Sequence, residues 1–123
     1  MSQYITIPGF EDLTPQQIVD MAEEHVRRTG RKSVNESRIC LYGGIGCAAS
    51  VFIRSECRED VEWRNWPQLV IRGLVPSCNE HIVSACQAAH DIADSDNFLP
   101  EFTERMTRVR EKYGLAPYTP KAG

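Results

Sequence analysis

Ser77-Cys78-Asn79-Glu80-His81-Ile82-Val83-Ser84-Ala85-Cys86-Gln87-Ala88-Ala89-His90-Asp91-Ile92-Ala93-Asp94-Ser95 decides the fold class. Ser77 and Glu80 stand three apart, the spacing of a capping box in which two side chains satisfy the first N–H groups of a helix, so a helix is expected to open here and run to about Ser95. At roughly 100° per residue, Ile82, Val83, Cys86, Ala89, His90 and Ala93 share about 120° of the helical wheel, one apolar stripe with polar residues opposite. Upstream, Thr14-Pro15-Gln16-Gln17 repeats the start signal with proline at the first helical position, and Gly30 supplies the stop. Ile18, Ala22, His25, Val26 and Thr29 form the stripe of that helix, while Asp20, Glu23, Glu24 and Arg27 fall away from it. Downstream, Phe102, Met106, Val109 and Tyr113 line up over a helix near 99–113, closed by Gly114 as a glycine C-cap with Leu115 as its hydrophobic contact.

Between these helices the signals are shorter. Tyr4-Ile5-Thr6-Ile7 alternates as an edge strand does before Pro8-Gly9, and Arg38 to Tyr42 has the β-branched and aromatic content of a second strand. Residues 47–53 read either as a helix burying Cys47, Ala48, Val51 and Phe52 or as a strand in a hairpin with 38–42; the paired alanines favour the helix. Asn65, with Pro67 behind it, is a cap for a short helix ending before Gly73, although Leu69-Val70-Ile71 would also suit a strand. The expected fold is therefore α+β and mostly helical: three main amphipathic helices around a small strand element, a short hairpin or two short strands. Residues 1–115 form one compact domain in this reading, and 116–123 a disordered tail.

Composition narrows the function classes. The 123 residues hold 14 Lys+Arg against 17 Asp+Glu, a net charge of −3, which removes the simplest electrostatic case for nucleic-acid binding. The longest uncharged run, Ile39 to Ile53, is broken by glycines and falls short of the roughly 20 apolar residues that span a bilayer. The N-terminal residues carry neither the basic nor the apolar region of a signal peptide, and the five cysteines are an odd number. A cytoplasmic protein with reduced thiols is the expectation.

Cys40 and Tyr42, then Gly46-Cys47-Ala48 leading to Phe52-Ile53, then Gln87, His90 and Asp91, and finally Tyr113-Gly114-Leu115 form a series of short motifs. Over about 75 residues this series resembles a family of small uncharacterised proteins carried by phages and prophages. The resemblance implies a phage or prophage setting and brings no activity with it.

Four sets of residues could carry chemistry. Cys47 leaves a glycine-rich turn, and a helix beginning there would lower its thiol pKa toward the nucleophilic thiolate; the alternative is a small buried hydrophobe. His90 could serve as its base, with Asp94, one turn on, better aimed than Asp91 to orient the imidazole; the plainer reading is a structural histidine. The same turn could cradle an anion on the backbone N–H groups of Gly44, Gly46 and Cys47, with Arg54 and Arg58 supplying charge. Trp63, Arg64 and Trp66 combine the residue types of a protein-binding hot spot, or else shelter one edge of the core. For metal, Cys78/His81 and Cys86/His90 are each well spaced, but the pairs lie about 12 Å apart along one helix, so no metal site and no cofactor are expected. The expected function is a non-enzymatic binding protein of phage or prophage origin that engages a host protein or sequesters a small anionic ligand such as a nucleotide. A hydrolase or transferase with Cys47 as nucleophile and His90 as base is the alternative.

Overall fold

The computed structural model describes residues 4–29, 48–58, 61, 64–93 and 95–118. Among the described residues four α-helices carry the fold: α1 Pro15–Thr29, α2 Trp66–Ile71, α3 Glu80–Ile92 and α4 Phe98–Lys112. Single 3-10 turns at Phe10–Asp12, Ser50–Phe52, Ser55–Cys57 and Ser95–Asn97 join them. α3 packs against each of the other three helices, and α1 also meets α4.

Local chemistry explains most of the helix ends. At α1, Thr14 Oγ1 accepts from the Gln17 N–H at 3.2 Å and Gln17 Oε1 accepts from the Thr14 N–H at 2.8 Å, the reciprocal box expected there. Asn65 and Gln68 make the same exchange at α2. α4 closes as a Schellman motif, with Gly114 at φ 67° and the Leu115 N–H on the Arg110 carbonyl at 2.8 Å. α3 departs from expectation. Its cap is Asn79, not Ser77, and Asn79 sits in the left-handed region at φ 60° with its side-chain amide donating to the Leu13 carbonyl at 3.0 Å. A tertiary hydrogen bond to the chain before α1 has displaced the local capping box, and the helix begins at Glu80 and ends at Ile92 rather than near Ser95.

Among the described residues the strand element reduces to one antiparallel bridge, Thr6 with Ile53. The Tyr4–Ile7 stretch is extended but lies between two different neighbours, with the Ile5 N–H on the Leu74 carbonyl and the Ile7 N–H on the Phe52 carbonyl, so no ladder grows along it. The helix favoured over 47–53 does not form among the described residues 48–53: a single 3-10 turn over Ser50–Phe52 hands the chain to Ile53, whose bridge to Thr6 holds it extended. The expected strand at 38–42 lies outside the described residues.

The core is where the stripes meet. Ile82, Val83, Cys86, Ala89, His90 and Ala93 are all buried, as their wheel position requires, together with Phe102 and Met106 of α4 and Ile18, Ala22 and Val26 of α1. Phe10, Phe52 and Trp66 close one end as an aromatic cluster with ring centroids 5.5 to 6.4 Å apart.

Two expectations fail on the charged side of α1. Glu23 is 2% exposed, not solvent-facing, because Arg110 of α4 is buried against it: Nη2 and Nε reach Glu23 Oε1 at 3.0 and 3.1 Å. Nη1 reaches Asp20 at 2.7 Å and the Ala116 carbonyl at 2.9 Å. Residues 116–118, the described part of the expected 116–123 tail, are accordingly docked on α1. The Ala116 N–H donates to Gln16 Oε1 at 2.8 Å, and the Tyr118 ring lies 4.2 Å from the Arg27 guanidinium carbon.

Candidate functional site: a cleft beside α1

Each residue singled out from the sequence has a definite status. Gly44, Gly46, Cys47, Trp63 and Asp94 lie outside the described residues. His90 has no exposed surface; its Nδ1 is 2.8 Å from Asp91 Oδ1, and its ring meets Phe98 edge-on at 5.3 Å. Asp91 was expected to point away, yet Nδ1 is the ring nitrogen nearest the backbone, and a short neighbouring carboxylate reaches it sideways. Trp66 is a core residue and not a surface anchor, since α2 turns Trp66 and Leu69 inward onto Phe10 and Phe52. Arg64 is half-buried. Arg54 is exposed with its guanidinium on the Tyr4 carbonyl, and Arg58 donates to the Ile53 carbonyl.

A concavity lies elsewhere, along α1. Glu24, His25 and Arg28 stand three, four and seven residues after Met21 on one face of α1, and with Asp20, Val51 and Tyr118 these four line a cleft of about 400 Å³. That volume falls within the range of small-molecule sites. His25 stands at its wall, half-buried, with Nε2 3.1 Å from Ser50 Oγ. Ser50 is fully buried behind the ring. A hydroxyl with no accessible surface cannot attack a substrate in the cleft, so Ser50 acts on the imidazole by fixing its plane.

The charges at the rim are compensated. Asp20 is bound to Arg110, and Glu24 takes Arg28 at 3.0 Å on one oxygen and the Tyr118 hydroxyl on the other. The hydrogen bond to Glu24 is the main reason that the Tyr118 phenol titrates above its ordinary range, with burial and the Glu24 charge adding to it. Met21 and Val51 supply the apolar part of the wall. Such a cleft can hold a small molecule with an apolar body and one polar group directed at His25 or Arg28.

The site was partly readable in advance. Met21, Glu24, His25 and Arg28 lie at spacings of three, four and seven, a face flanking the apolar stripe that included His25; nothing local could supply Tyr118, which joins from 94 residues away. Cys78 is exposed and Cys57 half-buried, while burial pushes the Cys86 thiol up to about 12. Among the described residues no three His, Cys, Asp or Glu side chains gather as a metal would require, and no helix is long and apolar enough to cross a membrane. Comparison of the chain with protein-family models, with curated proteins and with solved structures finds no match, so the resemblance to phage-borne proteins remains an expectation.

Proposed function

We propose that this chain is a non-enzymatic binding protein that holds one small polar ligand in the α1 cleft. The observation that carries the reading is the half-buried His25, set against buried Ser50 at the wall of a cleft of ligand size. The ligand's apolar body would lie on Met21, Val51 and the Tyr118 ring, and its acceptor or anionic group on His25 and Arg28. With Arg28 already paired to Glu24, the site has little spare positive charge for a polyphosphate, so a small anion of low charge, such as a nucleoside monophosphate or an aromatic carboxylate, suits it better. This replaces Arg54 and Arg58 as charge donors, since neither belongs to the cleft's described lining. Gly44, Gly46 and Cys47 lie outside the described residues and enter the proposal from the sequence alone. Phage or prophage origin is part of the same proposal and rests on the family resemblance alone. The hydrolase alternative is weakened because His90, its base, has no exposed surface from which to serve a substrate.

Thermal-shift and calorimetric titrations with nucleoside monophosphates and small aromatic carboxylates test the proposal. One class should raise Tm, and the gain should disappear in His25→Ala and in Val51→Trp, which fills the cleft. Binding that survives both variants, or no shift with any probe in the unmodified protein, refutes it.

A further inference from the structure

A second concavity, lined by other residues, runs between α3 and α4 with a volume of about 280 Å³. Its floor on α3 is made of Ala85, Ala88 and Ala89 and ends at Ile92, which is 57% exposed. The α4 wall carries Arg105, Arg108 and Lys112 around Val109. Small side chains at spacings of three and four let another helix approach the α3 backbone closely, and the stretch from 85 to 92 covers about two helical turns, or roughly 10 Å.

The cations set this groove apart. In α1, Arg27 is bound to Glu23 and Arg28 to Glu24, and the buried Arg110 is held by Asp20 and Glu23. In the groove Arg108 pairs with Glu104 at 2.8 Å, both side chains exposed. Arg105 forms no ion pair among the described residues, and Lys112 rests against the Tyr113 ring with its nitrogen 5.6 Å from the centroid. In a chain of net charge −3, three cations thus line one wall of an apolar trough whose lining holds no carboxylate.

We propose that this groove docks an acidic amphipathic helix of another protein, its apolar residues on the alanines and Ile92 and its carboxylates on Arg105, Arg108 and Lys112. In helix-in-groove recognition the apolar floor takes the apolar face of the helix, and a wall of one charge selects a partner of the opposite charge. A second copy of the chain is a poorer occupant. The carboxylates of α1 that could face the wall, Asp20, Glu23 and Glu24, are engaged by its own arginines, as Asp91 of α3 is by His90. The proposal is independent of the cleft at α1, which lies on other residues.

The test uses a fluorescent sixteen-residue peptide, about four helical turns, with leucines on one face and glutamates on the other, and its lysine counterpart, read by anisotropy. The glutamate peptide should bind at least about tenfold more tightly than the lysine peptide and should weaken as salt is raised. Ala88→Glu should remove the binding, and Arg105→Glu with Lys112→Glu should reverse the preference toward the lysine peptide, a gain that an unfolded variant cannot produce. Equal affinity for the two peptides, no binding of either, or loss of preference without reversal overturns the proposal. A concentration-dependent dimer abolished by Ala88→Glu overturns it in favour of self-association.

Discussion

Arg110 is the residue on which the charged half of the interior depends. All five of its N–H donors find acceptors: Glu23 from two nitrogens, Asp20, the Ala116 carbonyl and, at 3.4 Å, the Val19 carbonyl. Glu23 is shared in turn, with its second oxygen on Arg27 at 2.6 Å. Removing the guanidinium leaves a buried carboxylate short of its partner, so Arg110→Met should cost about 3 to 5 kcal/mol in urea denaturation. Adding Glu23→Leu should recover part of that loss, because the two residues act as a pair; strictly additive losses would show that they do not. Cys86 makes a second prediction. Its thiol is held protonated up to about 12 against 9.0 when free, so between those values the unfolded chain loses a proton that the native chain keeps. Stability contributed below pH 9 is therefore lost as pH rises toward 12, and Cys86→Ala should flatten that alkaline decline. In native protein iodoacetamide should modify Cys78 well before Cys86.

At the scale of the element, the helices owe their ends to short-range chemistry and their hold on one another to the stripes. Gly114 meets nothing within 4 Å of where a Cβ would stand, so Gly114→Ala tests backbone strain alone and should cost about 1 to 2 kcal/mol, read as a fall in Tm. Met106 is fully buried between α4 and its neighbours, and Met106→Ala should cost about 2 to 5 kcal/mol; a loss below about 0.5 kcal/mol would mean that the stripe carries little of the packing. α3 shows the limit of local signals. Ser77 and Glu80 have the spacing of a box, but Asn79 gains a tertiary hydrogen bond to Leu13 by starting the helix two residues later. A capping interaction and a long-range one compete at about the same 1 kcal/mol, and wheel and spacing register only the first.

For the whole molecule, the segment after α4 joins the two ends of the structure. Gln16 at the start of α1 exchanges two hydrogen bonds with the backbone of Ala116, and Tyr118 closes one side of the cleft. Truncation after Leu115 should cost about 2 kcal/mol or more, since Arg110 and Glu24 each lose a partner to their charged groups. Tyr118→Phe should keep most of the stability and remove only the phenol's hydrogen bond to Glu24. A truncated protein as stable as the full chain would show that this segment does not brace α1.

The sequence by itself determined the helices, the caps of α1 and α2, the glycine stop of α4 and the apolar stripes, because each rests on residues three or four apart whose relation is set by helical geometry. It also placed His90 in the core, since position on the wheel decides burial for a residue at the centre of a stripe. What it left open is the side to which polar residues turn. Glu23 lies outside the stripe of α1, and a wheel shows only that it faces away from the apolar core, not that a buried arginine waits there from 87 positions further along the chain. Trp66, the Tyr118 wall and the seat of Ala116 were beyond it for the same reason: each is decided by a partner that chain folding brings near, with no local period to announce it.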